Sequence, residues 1–196
     1  MKKKLFLVCM LSMVMAFTGC SSSGNKETAS NNSSQTQAEI ASCEDLLNQV
    51  WDIFGEDERF AAIGGGMTSL VDGKAGNCDL ADTEYIMYSL MVPEDRLENV
   101  DEAASLVHMM NANTFTGAAV HLTEMEDVED FVEDLEENIK NTQWMCGFPD
   151  TLNIFTVNGE YVVSIFGNAE IIENFKTKMT EVFGQSAVVV VEESLI

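Results

Sequence analysis

The chain has 196 residues, 46% of them hydrophobic, and sets 33 acidic against 10 basic side chains for a net charge of −23. The composition is that of a globular protein, and the length suits one domain with an appendage. Charge of this sign repels nucleic acid and anionic headgroups, so a nucleic-acid partner is excluded, while cations and basic partners are attracted.

Lys2, Lys3 and Lys4 open the chain, and Leu5 to Phe17 follows as 13 residues with only Ser12 polar. A membrane-crossing helix needs about 20 apolar residues. The run is too short for that and has the length of a signal-peptide core behind a positive start. Phe17-Thr18-Gly19-Cys20 resembles the lipobox of bacterial lipoproteins, with phenylalanine where leucine is usual. The resemblance implies that residues 1–19 are a lipoprotein signal peptide and that Cys20 is lipidated and becomes the new N-terminus. Two acyl chains hold a protein on a membrane where one does not. The expected address is therefore the cell membrane, anchored by lipid on its extracytoplasmic face. Removing the three lysines leaves seven basic against 33 acidic residues, a net charge of −26.

Ser21 to Ala38 contains no large apolar residue and cannot offset its ordering entropy by burial. Residues 20–38 are expected to be the lipidated cysteine and a flexible tether, with a reach of about 23 Å for its 18 residues. Residues 39–196 are expected to form a single α+β domain, helical over 39–110 and sheet-containing over 111–196.

Ile40, Cys43, Leu46, Leu47, Val50, Trp51 and Phe54 make one apolar stripe at helical spacing, which Gly55 ends. Residues 56–82 are irregular and rich in glycine and aspartate. Thr83 to Val92 reads as a short helix stopped before Pro93. Asp101 to Met110 reads as a further helix, although its end, SLVHMM, is equally compatible with a strand. Phe115 to Leu122 reads as a strand. Thr123 with Glu126 makes a capping box opening a helix lined by Met125, Val128, Phe131, Val132, Leu135 and Ile139. Thr151–Val157 and Tyr161–Phe166 read as strands joined by the hairpin signal Asn158-Gly159. Asn168 caps a helix whose core side is Ile171, Ile172, Phe175, Met179 and Val182, closed by Gly184. Ala187–Val191 is a last strand. The order strand-helix-strand-strand-helix-strand is that of a ferredoxin-like split βαβ fold with added N-terminal helices, both later helices covering one face of an antiparallel sheet.

Candidate chemistry is sparse. Once Cys9 is cleaved off and Cys20 acylated, Cys43, Cys78 and Cys146 remain, an odd number with no CxxC. They are expected to be free, largely buried thiols. EMEDVEDFVEDLEE (124–137) packs nine carboxylates into 14 positions, most of them opposite the apolar stripe, and reads as a solvated face. Asp72, Asn77, Asp79 and Asp82 lack the spacing of a calcium loop, and IGGGM lacks the Lys-Ser/Thr of a phosphate loop. His108 and His121, with Met109, Met110 and Cys146, are the only candidates for a soft-metal site, and no spacing rule joins them. No nucleophile has an evident base, so no catalytic residue, metal site or cofactor is expected. WMCGFP (144–149) places Trp144, Cys146 and Phe148 in a connection, where polar residues are usual. Such a segment either folds back to plug the core or presents an aromatic patch to a partner, for which these three are the candidate binding residues.

HMMNANTFTGAAVHLTEMEDVEDFVEDLEENI followed by TQWMCGFPDTLNIFTVNGEYVVSIFGNAEIIENF resembles a family of small lipoproteins from Gram-positive anaerobes defined by a domain of unknown function. Met109-Met110-Asn111, the acidic helix, Phe148-Pro149 and GEYVV carry the resemblance, over roughly residues 80–183. Some similar chains bear the label bacteriocin transport accessory protein. The proteins for which that name was coined look thioredoxin-like, and their CxxC is missing here. The expectation is a non-enzymatic, lipid-anchored extracytoplasmic binding domain. The alternatives are an accessory subunit of an exporter or envelope complex, and a lipoprotein that buffers divalent or soft metal ions.

Overall fold

A computed structural model describes residues 38–125, 128–145 and 147–196. Cys20, the signal segment, most of the tether, Glu126 of the expected capping box and Cys146 lie outside the described residues. The described residues form one compact unit. In chain order its elements are α1 (Cys43–Asp52), β1 (Ala62–Gly64), β2 (Val71–Asp72), β3 (Gly76–Asn77), α2 (Thr83–Tyr88), β4 (Val100–His108), β5 (Phe115–Leu122), α3 (Val128–Lys140), β6 (Thr151–Val157), β7 (Tyr161–Gly167), α4 (Ala169–Phe183) and β8 (Ala187–Ser194). The fold is α+β, built on one antiparallel sheet of eight strands in the order β2-β1-β4-β5-β7-β6-β8, with β3 also paired to β4.

Three sequence expectations change. Residues 39–110 are not a helical part, since they hold β1 to β4. Asp101 to Met110 is not a helix: it lies mostly in β4, which pairs with β5 on one side and with β1 and β3 on the other. The alanines in this segment suit a helix, but two flanking partners and burial of both faces outweigh propensity.

The third change concerns the split βαβ order. It is present along the chain, but the last strand pairs with β6 rather than beside β5, where β4 already lies. Both crossovers, β5 to β6 over β7 and β7 to β8 over β6, therefore step the same way across the sheet. The strands they leave, β5 and β7, are antiparallel. Right-handed connections that step the same way from antiparallel strands emerge on opposite faces. Accordingly, Ile172, Phe175, Met179 and Phe183 of α4 join α1 in one core, with Phe155, Val163 and Ile165. Phe131, Val132, Leu135 and Ile139 of α3 join Ile86 of α2 in the other, with Val120, Leu152 and Phe166. The two later helices do not share a face. Because both faces are covered, β5 and β7 are buried almost continuously, in keeping with their unbroken apolar sequences.

Local signals hold where partners are close in sequence. Ser42 caps α1 by accepting from the Asp45 amide, and Asn168 caps α4 by accepting from that of Glu170. Asn158 and Gly159 both take positive φ, 54° and 78°, as a type I′ hairpin requires. At the C-terminal end of α1, Arg59 donates to the carbonyls of Trp51, Asp52 and Phe54 and lies over the Trp51 ring. Asn48 of α1 holds Ala75 at both its amide and its carbonyl, and the Trp51 indole donates to Gly73 O. The glycine-rich segment 64–77, irregular by sequence, is thereby tied down as a small ladder.

Candidate binding cleft

Register across four strands places Ile63, Val107, Thr116 and Phe166 side by side, on the sheet face that α2 and α3 cover. These four form the floor of a cavity of about 310 Å³. Its walls come from three places. Tyr85, Tyr88, Ser89 and Met91 belong to α2 and the turn after it, Met67 and Leu70 to the β1–β2 connection, and Ala112, Asn113 and Trp144 to the two connections at that end of the sheet. No charged side chain lines it, although 22% of the chain is charged. The size and the apolar, aromatic lining with a few polar groups are those of a small-molecule pocket.

Each wall has a local cause. Trp144 is half-buried, its ring centroid 5.3 Å from that of Phe166. Asn113 donates to Gly147 O at 2.9 Å, tying the connection that carries Trp144 to the one between β4 and β5. Thr116 is buried, and its hydroxyl donates to Ala112 O. Met91 has φ 63°, a left-handed conformation that costs a non-glycine residue on the order of 1–2 kcal/mol. It is held there by α3, whose Asn138 Nδ2 donates to Met91 O at 2.6 Å, while the Thr142 hydroxyl just beyond the helix donates back to Asn138 O at 2.8 Å. Met67, Leu70 and Tyr88 are 70%, 60% and 71% exposed at the mouth.

Behind Tyr85 lies a buried polar network. Ser105 Oγ donates to Gly65 O at 2.9 Å, which leaves the Tyr85 hydroxyl to donate to Ser105 at 3.3 Å. Burial raises the Tyr85 pKa. Burial also pushes the Cys78 thiol up to about 11, against a hydrogen bond with Ser105 that lowers it. Cys43 sits in the opposite core, its thiol raised far above the ordinary range by burial first and then by Glu102 and Asp101. Both cysteines are free and protonated near neutrality. The Ser105 proton is committed to a carbonyl, so this network braces the glycine segment rather than activating an oxygen. The arrangement can bind by burial and ring contact.

Of the sequence candidates, Trp144 lines the cleft, whereas Phe148 is 67% exposed and not part of its wall. His108 and His121 lie at opposite ends of the β4–β5 ladder. His108 stacks on Phe60 and accepts from the amides of Met110 and Asn111, and His121 pairs with Asp101 at 2.5 Å. Asp79 and Asp82 accept from the amides of Ala81 and Tyr85 as turn and cap. Among the described residues no group of three or more His, Cys, Asp or Glu is arranged to hold a metal ion. The acidic face of α3 points to solvent, with Asp134 paired to Arg96 and Glu136 to Lys140.

Sequence reasoning missed Tyr85, Tyr88, Met91, Met67 and Leu70. The available signal was apolar side chains in positions where a loop or a helix's outer face calls for polar ones. No described helix is long and apolar enough to cross a membrane. No family model, curated protein or solved structure matches the chain.

Proposed function

We propose that the protein is a lipid-anchored extracytoplasmic binding domain, non-enzymatic, whose ligand enters the cleft between α2, Trp144 and the sheet. The observation that carries this reading is the uncharged cavity of about 310 Å³ in an otherwise strongly acidic protein. Exposed Met67, Leu70 and Tyr88 gather at the mouth of this uncharged concavity, and an apolar patch around a groove is the mark of a binding site. The lipobox-like Phe17-Thr18-Gly19-Cys20 and the serine-rich tether support the anchored address, as does the resemblance to small lipoproteins.

The test uses the neutral, solvatochromic dye Nile red. It is expected to bind one-to-one with a blue-shifted emission. Ala112→Trp, which fills the cleft from an exposed backbone position, should abolish that signal while leaving the unfolding midpoint in place. Unchanged dye binding in this variant would remove the cleft as the site.

A second reading, an accessory subunit of an exporter or envelope complex, is supported by one feature. Met145 and Phe148, 94% and 67% exposed, continue outward from Trp144 on the same connection. Such apolar exposure suits a protein partner. Crosslinking in membranes from Met145 or Phe148 positions would capture that partner, and capture of nothing from either position would discard the reading.

A further inference from the structure

We propose that the cleft and the cavity beside it form one site for a small amphipathic cation, an apolar and preferably aromatic body bearing a single ammonium group. The inference rests on the cleft being the binding site and adds the chemistry of its ligand. A second cavity, about 530 Å³, adjoins the cleft and shares Tyr88 and Met91 with it as walls. Glu94 and Asp95 line this second cavity, and neither cavity has a basic side chain in its wall. The two compartments thus differ in kind. One is uncharged and ringed by Phe166, Trp144 and Tyr85, while the other is of mixed lining and carries two carboxylates.

Charge decides among ligand classes. An anion would enter a protein of net charge −23 with no cation in the walls to receive it. A neutral apolar molecule fills the first compartment and gains nothing from the second. An ammonium group gains from both. Its apolar body is buried over Phe166 and Trp144, and its charge passes Tyr88, whose ring face attracts a cation, to reach Glu94 and Asp95. Both carboxylates are exposed, so each contributes a modest, salt-screened attraction rather than a deep one.

The experiment compares three probes of similar body, 2-phenylethylamine, 2-phenylethanol and phenylacetate, by NMR titration read at the Trp144 indole. The amine is expected to bind about tenfold tighter than the alcohol, the advantage shrinking at high salt, with phenylacetate weakest. The double variant Glu94→Gln with Asp95→Asn should bring the amine down to the alcohol's affinity and leave the alcohol unchanged. Equal binding of amine and alcohol by the unaltered protein, or an amine advantage that survives in the double variant, overturns the ligand class and leaves the cleft standing as a site. If no probe shifts Trp144, both the ligand class and the cleft reading fall.

Discussion

Trp144 and Phe166 stand ring against ring, centroids 5.3 Å apart and planes inclined by 49°, so a residue from the connection after α3 closes one end of a cleft floored by β7. Phe166 is 1% exposed and Trp144 is half-buried, so the strand residue is the support on which the indole wall packs. Trp144→Ala should cost about 1–2 kcal/mol, less than the 3–5 of a fully buried aromatic, and should weaken Nile red binding. Met145→Ala, next along the chain but 94% exposed, should change stability by less than about 0.5 kcal/mol. Urea unfolding of both variants separates the two roles.

Gly65 and Gly73 both have positive φ, 80° and 75°, yet they should respond differently to alanine. A Cβ on Gly65 would lie 2.1 Å from Ser69 O, whereas one on Gly73 meets nothing within 4 Å. Gly73→Ala should therefore cost only the left-handed penalty of about 1–2 kcal/mol. Gly65→Ala should cost distinctly more and displace the carbonyl that Ser105 bonds. Thermal denaturation in parallel gives the comparison, and equal losses would show that the 64–77 ladder yields easily.

Cys78 gives the fold a pH dependence in the alkaline range. Its thiol titrates near 11 in the folded protein, against an ordinary value of 9.0. Above the ordinary value the unfolded chain releases this proton while the folded chain keeps it, so stability falls as pH rises through the window from 9.0 to about 11. The contribution is complete below that window. Cys78→Ala should reduce the slope of urea-unfolding free energy against pH between those limits and leave the part that the buried Cys43 thiol contributes. An unaltered slope would mean that the thiol is not kept neutral by burial.

Asn138→Ala tests what holds Met91 in its left-handed conformation. The substitution removes the donor to Met91 O and leaves a half-buried carbonyl with less satisfaction, at about 1 kcal/mol. The local effect should exceed the global one. The Val92 amide, which donates to Ile86 O, should lose hydrogen-exchange protection more than amides in β5 do. Uniform loss across the chain would assign Asn138 to the core rather than to the cleft wall.

Cys20→Ala tests the anchor. The protein should leave the membrane fraction in a carbonate wash, because the 13-residue apolar run before position 20 is too short to cross a bilayer. Retention after the wash would end the lipid-anchor reading, and the cleft predictions above would stand independently.

Sequence alone was informative wherever the partners of a residue are its neighbours. The cap at Asn168, the Asn158-Gly159 turn and the apolar stripes of α1, α4 and, from Val128 onward, α3 follow from spacing, since a helix or a hairpin satisfies its own backbone, whereas Met125, expected in the stripe of α3, lies before that helix and is 62% exposed. The strand-helix-strand-strand-helix-strand order is legible for the same reason. Tertiary structure decided what depends on distant partners. β4 became a strand because β1, β3 and β5 flank it, against the helix that its alanines suggest. The last strand went to β6 because β4 had taken the place beside β5, and that sent α3 and α4 to opposite faces. The cleft is the clearest case. Ile63, Val107, Thr116 and Phe166 are scattered over about a hundred positions of the sequence and meet only through inter-strand register, which no local pattern encodes.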